Sequence, residues 1–161
     1  KDFLKQFPSL AAPAMQARIR APHDPATFAD CKLDWSERAR NAAAVALHRD
    51  LIRIRRTDAV LAGEGCEVDG AVLGPGAFAL RYFAPDGGDR LLLINLGTDL
   101  ALLPAPEPLL AEPLNCDWQL VVSTEDPIYG GSGTPEFNWN ATPQLPGNCA
   151  LFFAARRGSD T

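Results

Sequence analysis

The chain has 161 residues, of which 47% are hydrophobic and 22% are charged, so it can bury a core in one domain or in a small domain with an appendage. Its formal net charge of −5 argues against a nucleic-acid-binding protein, because phosphate contacts need a clustered basic surface. No apolar run approaches the ~20 residues that a membrane-spanning helix needs, and no signal peptide is recognisable. These features predict a globular protein that neither spans a membrane nor binds nucleic acid.

Residues 1–30 are rich in proline and alanine, which predicts that the segment 1–35 is mostly irregular. Pro13, Pro22 and Pro25 lack an amide hydrogen and bias the preceding residue away from the helical conformation. We therefore expect a single helical turn near residues 14–20 and loop on either side of it.

A long amphipathic helix is predicted next, over residues 36–57. Asp34 can accept from the amides of the first turn, and Glu37 follows three residues later, as in a capping box. An apolar stripe recurs at three- and four-residue intervals, with arginines mostly on the opposite side. The stripe consists of Ala44, Leu47, Leu51 and Ile54, widened by Val45 and Ile52. It must pack against another element, and both the following β region and a part of a larger protein stay open as that partner.

From residue 63 onward, short apolar runs alternate with Gly, Pro, Asn and Asp turns, which is typical of an antiparallel β domain. Asp69-Gly70 and residues 85–88 carry hairpin-turn signals, and the run at residues 91–94 indicates a strand buried on both faces. The expected strands are residues 66–68, 71–73, 78–84, 90–96, 118–123 and 149–155. The predicted fold is mainly β, an antiparallel β-sandwich preceded by one long amphipathic helix and an irregular N-terminal segment.

These elements divide the chain into four predicted parts. They are residues 1–35 (irregular), 36–62 (helix and linker), 63–157 (antiparallel β domain) and 158–161 (tail). The chain opens at Lys1, and its one methionine is Met15. We therefore expect that it is a processed or truncated piece of a longer polypeptide.

Four cysteines are spread along the chain without the spacing of a metal site. They are Cys31, Cys66, Cys116 and Cys149. None belongs to a CxxC pair and no histidine stands at ligand spacing from them, so neither a bound metal nor a cofactor is expected. The spacings are also too wide for a small disulfide-stapled scaffold. We expect buried free thiols and a cytoplasmic location.

No site for nucleophilic catalysis is recognisable. His23 lies in the proline-rich segment and His48 lies on the predicted helix, and neither has a nucleophile motif near it. Residues 130–133 are glycine-rich but lack the G-x-S-x-G register, and no helix is predicted after them. Neither a nucleophile elbow nor a phosphate cradle is therefore indicated.

Glycoside hydrolysis needs two carboxyl groups, which a retaining enzyme holds about 5–5.5 Å apart. The neighbouring acids of this sequence have simpler interpretations as helix caps, as solvated side chains or as groups pointing to opposite faces of a strand. They are Asp34 with Glu37, Glu64 with Glu67, and Glu125 with Asp126. The chain is therefore predicted to contain no catalytic residue.

An aromatic group on the stretch 126–148 is a candidate carbohydrate platform. Tyr129, Phe137 and Trp139 lie on this Gly-, Asn- and Pro-rich stretch and could stack on pyranose rings where they are exposed. Trp118, by contrast, falls in a predicted strand and is expected in the core.

Seven segments share a recognisable family pattern. They are Thr27-Phe28, Lys32-Leu33-Asp34-Trp35, residues 47–56, Leu92-Leu93-Ile94-Asn95-Leu96-Gly97, residues 104–111, residues 123–131 and residues 145–151. The first three resemble the end of the catalytic barrel of α-amylase-type glycoside hydrolases (family 13), in particular of malto-oligosyltrehalose trehalohydrolases. The others resemble the C-terminal β domain of that family. Cys31 departs from the pattern, where a small hydroxyl residue is expected, and should affect packing alone.

This resemblance implies that residues 1–35 follow the eighth barrel strand, that residues 36–57 are the eighth barrel helix, and that residues 63–157 are the C-terminal β domain. Such enzymes cleave the α-1,4 bond next to a terminal trehalose unit by the retaining route and release trehalose. Their nucleophile, acid/base glutamate and assisting aspartate lie on barrel strands four, five and seven, and no position here matches those motifs. The chain would then be a structural part of a glycosidase that meets its α-glucan through the missing barrel.

Several alternatives stay open. The parent could be a 1,4-α-glucan branching enzyme or another glucanotransferase, because C-terminal β domains resemble one another more than active sites do. The chain could instead be a non-catalytic carbohydrate-binding module that uses Tyr129, Phe137 and Trp139, or an interaction domain without a ligand. Separated from a barrel, the 36–57 helix should leave part of its stripe uncovered unless residues 1–35, the β domain or a self-associating second copy covers it.

Overall fold

The computed structural model describes residues 6–102, 107–134, 137, 139 and 143–157. The chain divides into two compact units, Lys1–Arg40 and Asn41–Thr161. The predicted tail at residues 158–161 lies outside the described residues. Within the described part, no helix has the length and apolar character needed to cross a membrane.

The first unit contains four short helices in its described part. They are α1 (Pro8–Ala11), α2 (Pro13–Gln16), α3 (Pro25–Asp30) and α4 (Glu37–Arg40). Proline opens three of them, in the first turn, where an amide hydrogen would have no partner within the helix. Loop was expected around Pro8 and Pro25, and that prediction is wrong because proline disrupts the interior of a helix and not its first turn.

Aspartate side chains cap two of these turns. Asp24 Oδ1 accepts from the amide of Ala26 at 2.8 Å, and Asp34 Oδ1 accepts from the amide of Ser36 at 2.9 Å. Hydrogen bonding by Ser36 lowers the pKa of the Asp34 carboxyl. Glu37 contacts Arg40, with 3.4 Å between Oε1 and Nη2. The predicted cap at Asp34 is therefore confirmed, but Glu37 takes a different partner from the one that a capping box would give it.

The second unit begins with α5 (Ala42–Thr57) and α6 (Ala59–Ala62). The helix predicted over residues 36–57 is interrupted at Asn41, whose φ of −108° and ψ of 38° lie outside the helical region. Asparagine has a low helix propensity, since its side chain stabilises non-helical backbone, so a break at this residue costs little. The amphipathic helix itself is confirmed over the 16 residues of α5.

The described part of the second unit contains seven strands. They are β1 (Glu67–Gly74), β2 (Ala77–Phe83), β3 (Arg90–Asn95), β4 (Leu100–Ala101), β5 (Cys116–Ser123), β6 (Gln144–Leu145) and β7 (Cys149–Arg157). Five of them form an antiparallel sheet in the order β1-β2-β3-β7-β5, and β4 pairs with β6 in a second sheet. The predicted mainly β, antiparallel, sandwich-like fold is confirmed.

One predicted hairpin turn is wrong. Asp69-Gly70 lies inside β1, with Gly70 directly opposite Leu80 of β2, and the chain turns instead at Pro75-Gly76. A Cβ atom at Gly70 would come within 2.9 Å of the Leu80 Cδ2 atom. Glycine at this position makes room for a cross-strand neighbour, and the sequence pattern alone does not separate that role from a turn.

The core lies on one face of the five-stranded sheet. Leu91 and Leu93 of β3 are fully buried there, whereas Leu92 and Ile94 are half-buried on the opposite face. The run at residues 91–94 was expected to be buried on both faces, and the structure shows full burial on one. The core cluster consists of Ala77, Ala79, Leu91, Leu93, Leu102, Leu110, Trp118, Leu145, Cys149, Leu151, Phe153 and Ala155.

An ion pair crosses this core. Arg81 Nε donates to Asp89 Oδ2 at 2.9 Å, and the Nη1 atom of Arg81 donates to the carbonyls of Leu109 and Ala111 at 3.1 and 2.7 Å. Asp89 Oδ1 accepts from the amide of Ala84 at 2.8 Å. Both charged side chains are buried, and these hydrogen bonds offset their desolvation. The pair therefore joins the β2–β3 hairpin to the short 3₁₀ helix Pro108–Leu110.

Asn95 joins the two sheets. Its Nδ2 atom is within 2.7 to 3.1 Å of the carbonyls of Thr98, Leu145 and Pro146, and its Oδ1 atom accepts from the amide of Gly97 at 2.9 Å. Leu145 belongs to β6, which was not predicted because a two-residue strand has no alternation to recognise. A buried, hydrogen-bonded asparagine at the end of β3 thus holds the second sheet over the first.

Candidate functional site

Four of the six acids considered for catalysis accept hydrogen bonds from nearby groups, and the other two, Glu64 and Glu67, are exposed. Glu125 Oε2 accepts from the Ser132 hydroxyl at 2.7 Å, and Asp126 Oδ1 accepts from the amide of Ile128 at 2.9 Å. Two hydrogen bonds close the glycine-rich segment 130–133 into a compact loop. One is the Ser132 contact with the Glu125 side chain, and the other runs from the Gly133 amide to the Glu125 carbonyl. Across the described residues, no group of three or more His, Cys, Asp and Glu side chains is arranged to hold a metal ion.

The histidines and cysteines show no activated arrangement in the described residues. His48 Nδ1 lies 2.7 Å from the Ala44 carbonyl of its own helix. The four cysteines are free, and among them Cys149 is buried and Cys31 is exposed. Burial raises the pKa of the Cys149 thiol to about 11, so at neutral pH it is a protonated core side chain.

The three aromatic residues proposed for sugar stacking occupy two different places. Phe137 and Trp139 pack together, with ring centroids 4.8 Å apart, and both contact Phe153 of β7. They are half-buried against the core cluster, and the Trp139 indole Nε1 has no hydrogen-bond partner among the described residues. Tyr129 instead follows β5 in the short 3₁₀ helix Pro127–Tyr129.

Tyr129 attaches helix α5 to the loop after β5. Its hydroxyl donates to Asp50 Oδ2 at 2.9 Å, across 79 positions of sequence. The hydrogen bond from Tyr129, followed by the one from Arg53, lowers the pKa of the Asp50 carboxyl. Desolvation and the same hydrogen bond raise the pKa of the Tyr129 hydroxyl. At neutral pH the contact is therefore a neutral hydroxyl donating to a carboxylate.

A second contact attaches the end of α5 to the sheet. Arg90 Nε, on β3, donates to Asp58 Oδ2 at 2.8 Å, and Asp58 Oδ1 accepts from the amides of Val60 and Leu61. Burial by itself raises the pKa of the Asp58 carboxyl, but the hydrogen bonds from Arg90 and from the two amides outweigh it and lower that pKa. The pairs Asp50–Tyr129 and Asp58–Arg90 are referred to below as the helix-attachment contacts.

The helix-attachment contacts leave a further side of α5 uncovered. Ala43, Leu47, Asp50 and Ile54 are half-buried at three- and four-residue spacing, which marks the side toward the β domain. Leu51 and Ile52 keep 44% and 52% of their surfaces exposed. Part of the predicted apolar stripe therefore remains accessible.

A groove lies beside the end of the helical segment. It has a volume of about 340 Å³ and is open to solvent. Its lining includes Val60, Cys66, Phe83 and Pro85, and the acidic side chains of the lining are Glu64 and Asp86. It brings together no combination of groups that would position a substrate for a reaction.

The sequence did not point to the helix-attachment contacts. Asp50 and Asp58 were not recognisable as contact residues, because partners 79 and 32 positions away leave no local pattern. The one available signal was Asp58 at the end of the apolar stripe, where a cap residue is expected before a new helical turn.

One comparison with known proteins gave a match. The family model DUF3459, described as a domain of unknown function, matches residues 67–147. These residues include β1 to β6. No curated protein and no solved structure matches the chain.

Proposed function

Because the chain belongs to the DUF3459 family, the C-terminal domain found in α-amylase-family enzymes, we propose that it is the C-terminal part of a glycoside hydrolase and that its own role is structural. In this proposal α5 is the last helix of a catalytic (β/α)8 barrel, and the β domain holds that helix from one side. The chain itself supplies no catalytic residue.

The exposed part of α5 is the observation that carries this proposal. The helix-attachment contacts and the half-buried residues account for one side of α5, and outside it the large apolar side chains of Leu51 and Ile52, which point about 100° apart around the helix, are exposed. Burial of a side chain of this size stabilises a protein by about 1.5–3 kcal/mol. A helix shared by a barrel and a β domain has apolar residues on both of these sides.

The finer proposal concerns the substrate. We propose that the parent enzyme releases trehalose from malto-oligosyltrehalose by the retaining route, on the strength of the sequence resemblance over residues 47–56, 92–97 and 123–131. A 1,4-α-glucan branching enzyme or another glucanotransferase is the alternative within the same superfamily. In each case the α-glucan binds the barrel, and the cytoplasm is the proposed location.

A carbohydrate-binding module is the second candidate function. Phe137 and Trp139 favour it, since both side chains, packed edge to face, remain partly exposed and the buried Trp139 Nε1 atom lacks a partner among the described residues. Their packing on Phe153 also serves the core, which favours the structural role.

The proposal is tested by comparing this chain with a longer polypeptide that includes the residues encoded upstream. The coding sequence upstream of Lys1 should be cloned, and the longer protein and this chain should be assayed on malto-oligosyltrehalose and on amylose. We expect the longer protein to release trehalose and this chain to release none. Branch formation on amylose without trehalose release would identify the glucanotransferase alternative, and hydrolysis by this chain alone would contradict the structural role.

Glucan affinity separates the two candidate functions. This chain and its Trp139→Ala variant should migrate alike in native gels containing amylose or glycogen if the role is structural. Ile128→Ala is a matched control, because Ile128 is an exposed apolar residue beside Tyr129. Retardation of the wild-type chain that disappears in Trp139→Ala but persists in Ile128→Ala would establish the binding module instead.

A further inference from the structure

Strand β1 is one of the two edge strands of the five-stranded sheet, and among the described residues it pairs with β2 alone. In an antiparallel strand, the amides of alternate residues point to opposite sides. The amide of Gly70 donates to the Asp69 carboxylate, with 2.8 Å between N and Oδ1. The amides of Val68, Gly70 and Val72 therefore point to the open side of the strand.

The same stretch of β1 exposes apolar surface. Val68 and Val72 stand two residues to either side of Gly70 and keep 52% and 83% of their surfaces exposed. A strand edge with outward amides and apolar side chains is a template for pairing with another strand. Of the three outward-pointing amides of Val68, Gly70 and Val72, the middle one, that of Gly70, already donates its hydrogen bond to the Asp69 carboxylate.

We propose that the β1 edge is a pairing surface for a second copy of this chain, and that Asp69 keeps it closed by binding the Gly70 amide. The edge is self-complementary. Two β1 strands in antiparallel register about Gly70 place Val68 of each copy opposite Val72 of the other, and both Gly70 residues face each other as a hydrogen-bonded pair.

In this register Asp69 opposes pairing through its hydrogen bond to the Gly70 amide and not through charge repulsion between the two copies. It lies opposite Ala71 of the second copy, and Glu67 lies opposite Leu73, so no two acids face each other directly. Pairing requires the carboxylate to release the Gly70 amide, and hydrogen bonds to ionised acceptors are about twice as strong as neutral ones. The two Gly70 residues therefore cannot form their hydrogen-bonded pair while the Asp69 carboxylate holds the Gly70 amide.

The experiment compares the wild-type chain with Asp69→Ala and Glu67→Ala by analytical ultracentrifugation, from micromolar to millimolar protein. Glu67→Ala is the matched control, because it removes one acid from the same strand and leaves the Asp69–Gly70 contact intact. We expect Asp69→Ala to dimerise and the other two chains to stay monomeric. Asp69→Ala/Val72→Lys should return to the monomer, because a lysine on the exposed edge opposes strand pairing.

Amide hydrogen exchange of the wild-type monomer provides a readout that needs no variant. Relative to its intrinsic exchange rate, the Gly70 amide should be protected about tenfold more than those of Val68 and Val72, since a hydrogen bond to a charged group contributes about 1.5 kcal/mol. Equal protection of the three amides, a monomeric Asp69→Ala chain or dimerisation of Glu67→Ala would each overturn the proposal. The proposal would also be overturned if the wild-type chain dimerised through β1, or if the Asp69→Ala/Val72→Lys chain remained a dimer.

Discussion

The Arg90 guanidinium on β3 reaches the Asp58 carboxylate at the junction of α5 and α6, with 2.8 Å between Nε and Oδ2. The second oxygen of that carboxylate accepts from the amides of Val60 and Leu61. One side chain therefore fixes the helical segment to the sheet and also caps α6. Both members of the ion pair are largely shielded from solvent.

Replacing Asp58 should destabilise the β domain. Asp58→Ala removes the partner of a largely buried arginine and an N-cap, and we expect the free energy of unfolding to fall by about 2–4 kcal/mol. Urea unfolding followed by tryptophan fluorescence measures this change. Glu64→Ala is the control, since Glu64 is exposed and should stay within about 0.5 kcal/mol of wild type. Equal stability of the two variants would contradict a stabilising role for the ion pair.

The same carboxylate should contribute to acid sensitivity. The pKa of Asp58 is lower in the folded chain than its ordinary value of 3.8, so the charged form is favoured by folding. The stabilisation is present above that ordinary value and is lost as the pH falls through the lowered folded pKa. Asp58→Asn keeps the size of the side chain and removes the titration. The difference in unfolding free energy between wild type and Asp58→Asn should therefore shrink below about pH 4.

Asp117→Asn provides the control for that titration. Asp117 is exposed on β5 and has no ion pair within the described part of the chain. Urea unfolding of wild type, Asp58→Asn and Asp117→Asn should be measured at pH 7, 5, 4 and 3 (roughly the range in which carboxyl groups titrate), so that the effect of losing an exposed acid can be compared with that of losing Asp58. A constant difference between wild type and Asp58→Asn across this range would contradict the assignment.

Removing one member of the buried Arg81–Asp89 pair should strongly lower the free energy of unfolding. Arg81→Ala leaves Asp89 charged and unpaired, and it also removes the donors to the Leu109 and Ala111 carbonyls. We expect a loss of about 3–5 kcal/mol, and about 2–3 kcal/mol for Arg81→Lys, which keeps the charge but not the planar fork. Arg53→Ala, at an exposed ion pair, should cost at most about 0.5 kcal/mol. Thermal unfolding by circular dichroism ranks the three variants.

Replacing Gly131 even by alanine, which adds one methyl group, should destabilise the chain. A Cβ atom there would come within 2.2 to 2.3 Å of the backbone of Glu125, which cannot move without opening the loop. We expect Gly131→Ala to lower the free energy of unfolding by about 2–4 kcal/mol. Gly74→Ala is the matched control, because its Cβ would meet Leu100 at an ordinary 3.5 Å. A Gly131→Ala chain as stable as Gly74→Ala would refute the close approach.

The β region was largely predictable because its signals are local. Alternating apolar residues and the turn at residues 85–88 located β2 and β3, and the apolar runs located β5 and β7. Gly70 was misread since glycine beside aspartate has the same appearance in a turn and in a strand that faces a bulky neighbour. The two-residue strands β4 and β6 depend on Asn95 and on core packing, and these are long-range effects.

The candidate site was less predictable than the fold. Tyr129 was grouped with Phe137 and Trp139 because the three are close in sequence, whereas its hydroxyl binds Asp50 on α5. Whether Phe137 and Trp139 stack on sugar stays a prediction. Aromatic residues on a glycine-rich stretch have the same composition when they bind a ligand and when they complete a core.

Strand β7 lies between β3 and β5 although it is the last strand along the described chain. During synthesis, the β1-β2-β3 meander can therefore form early, but β5 has no neighbour until residues 149–157 have left the ribosome. Closing β3 against β7 joins Asn95 to Cys149, and such distant pairings are slow steps in folding. The side of β3 that pairs with β7 therefore stays without its partner until β7 has been synthesised, and an unpaired strand edge of this kind favours aggregation of the incompletely folded chain.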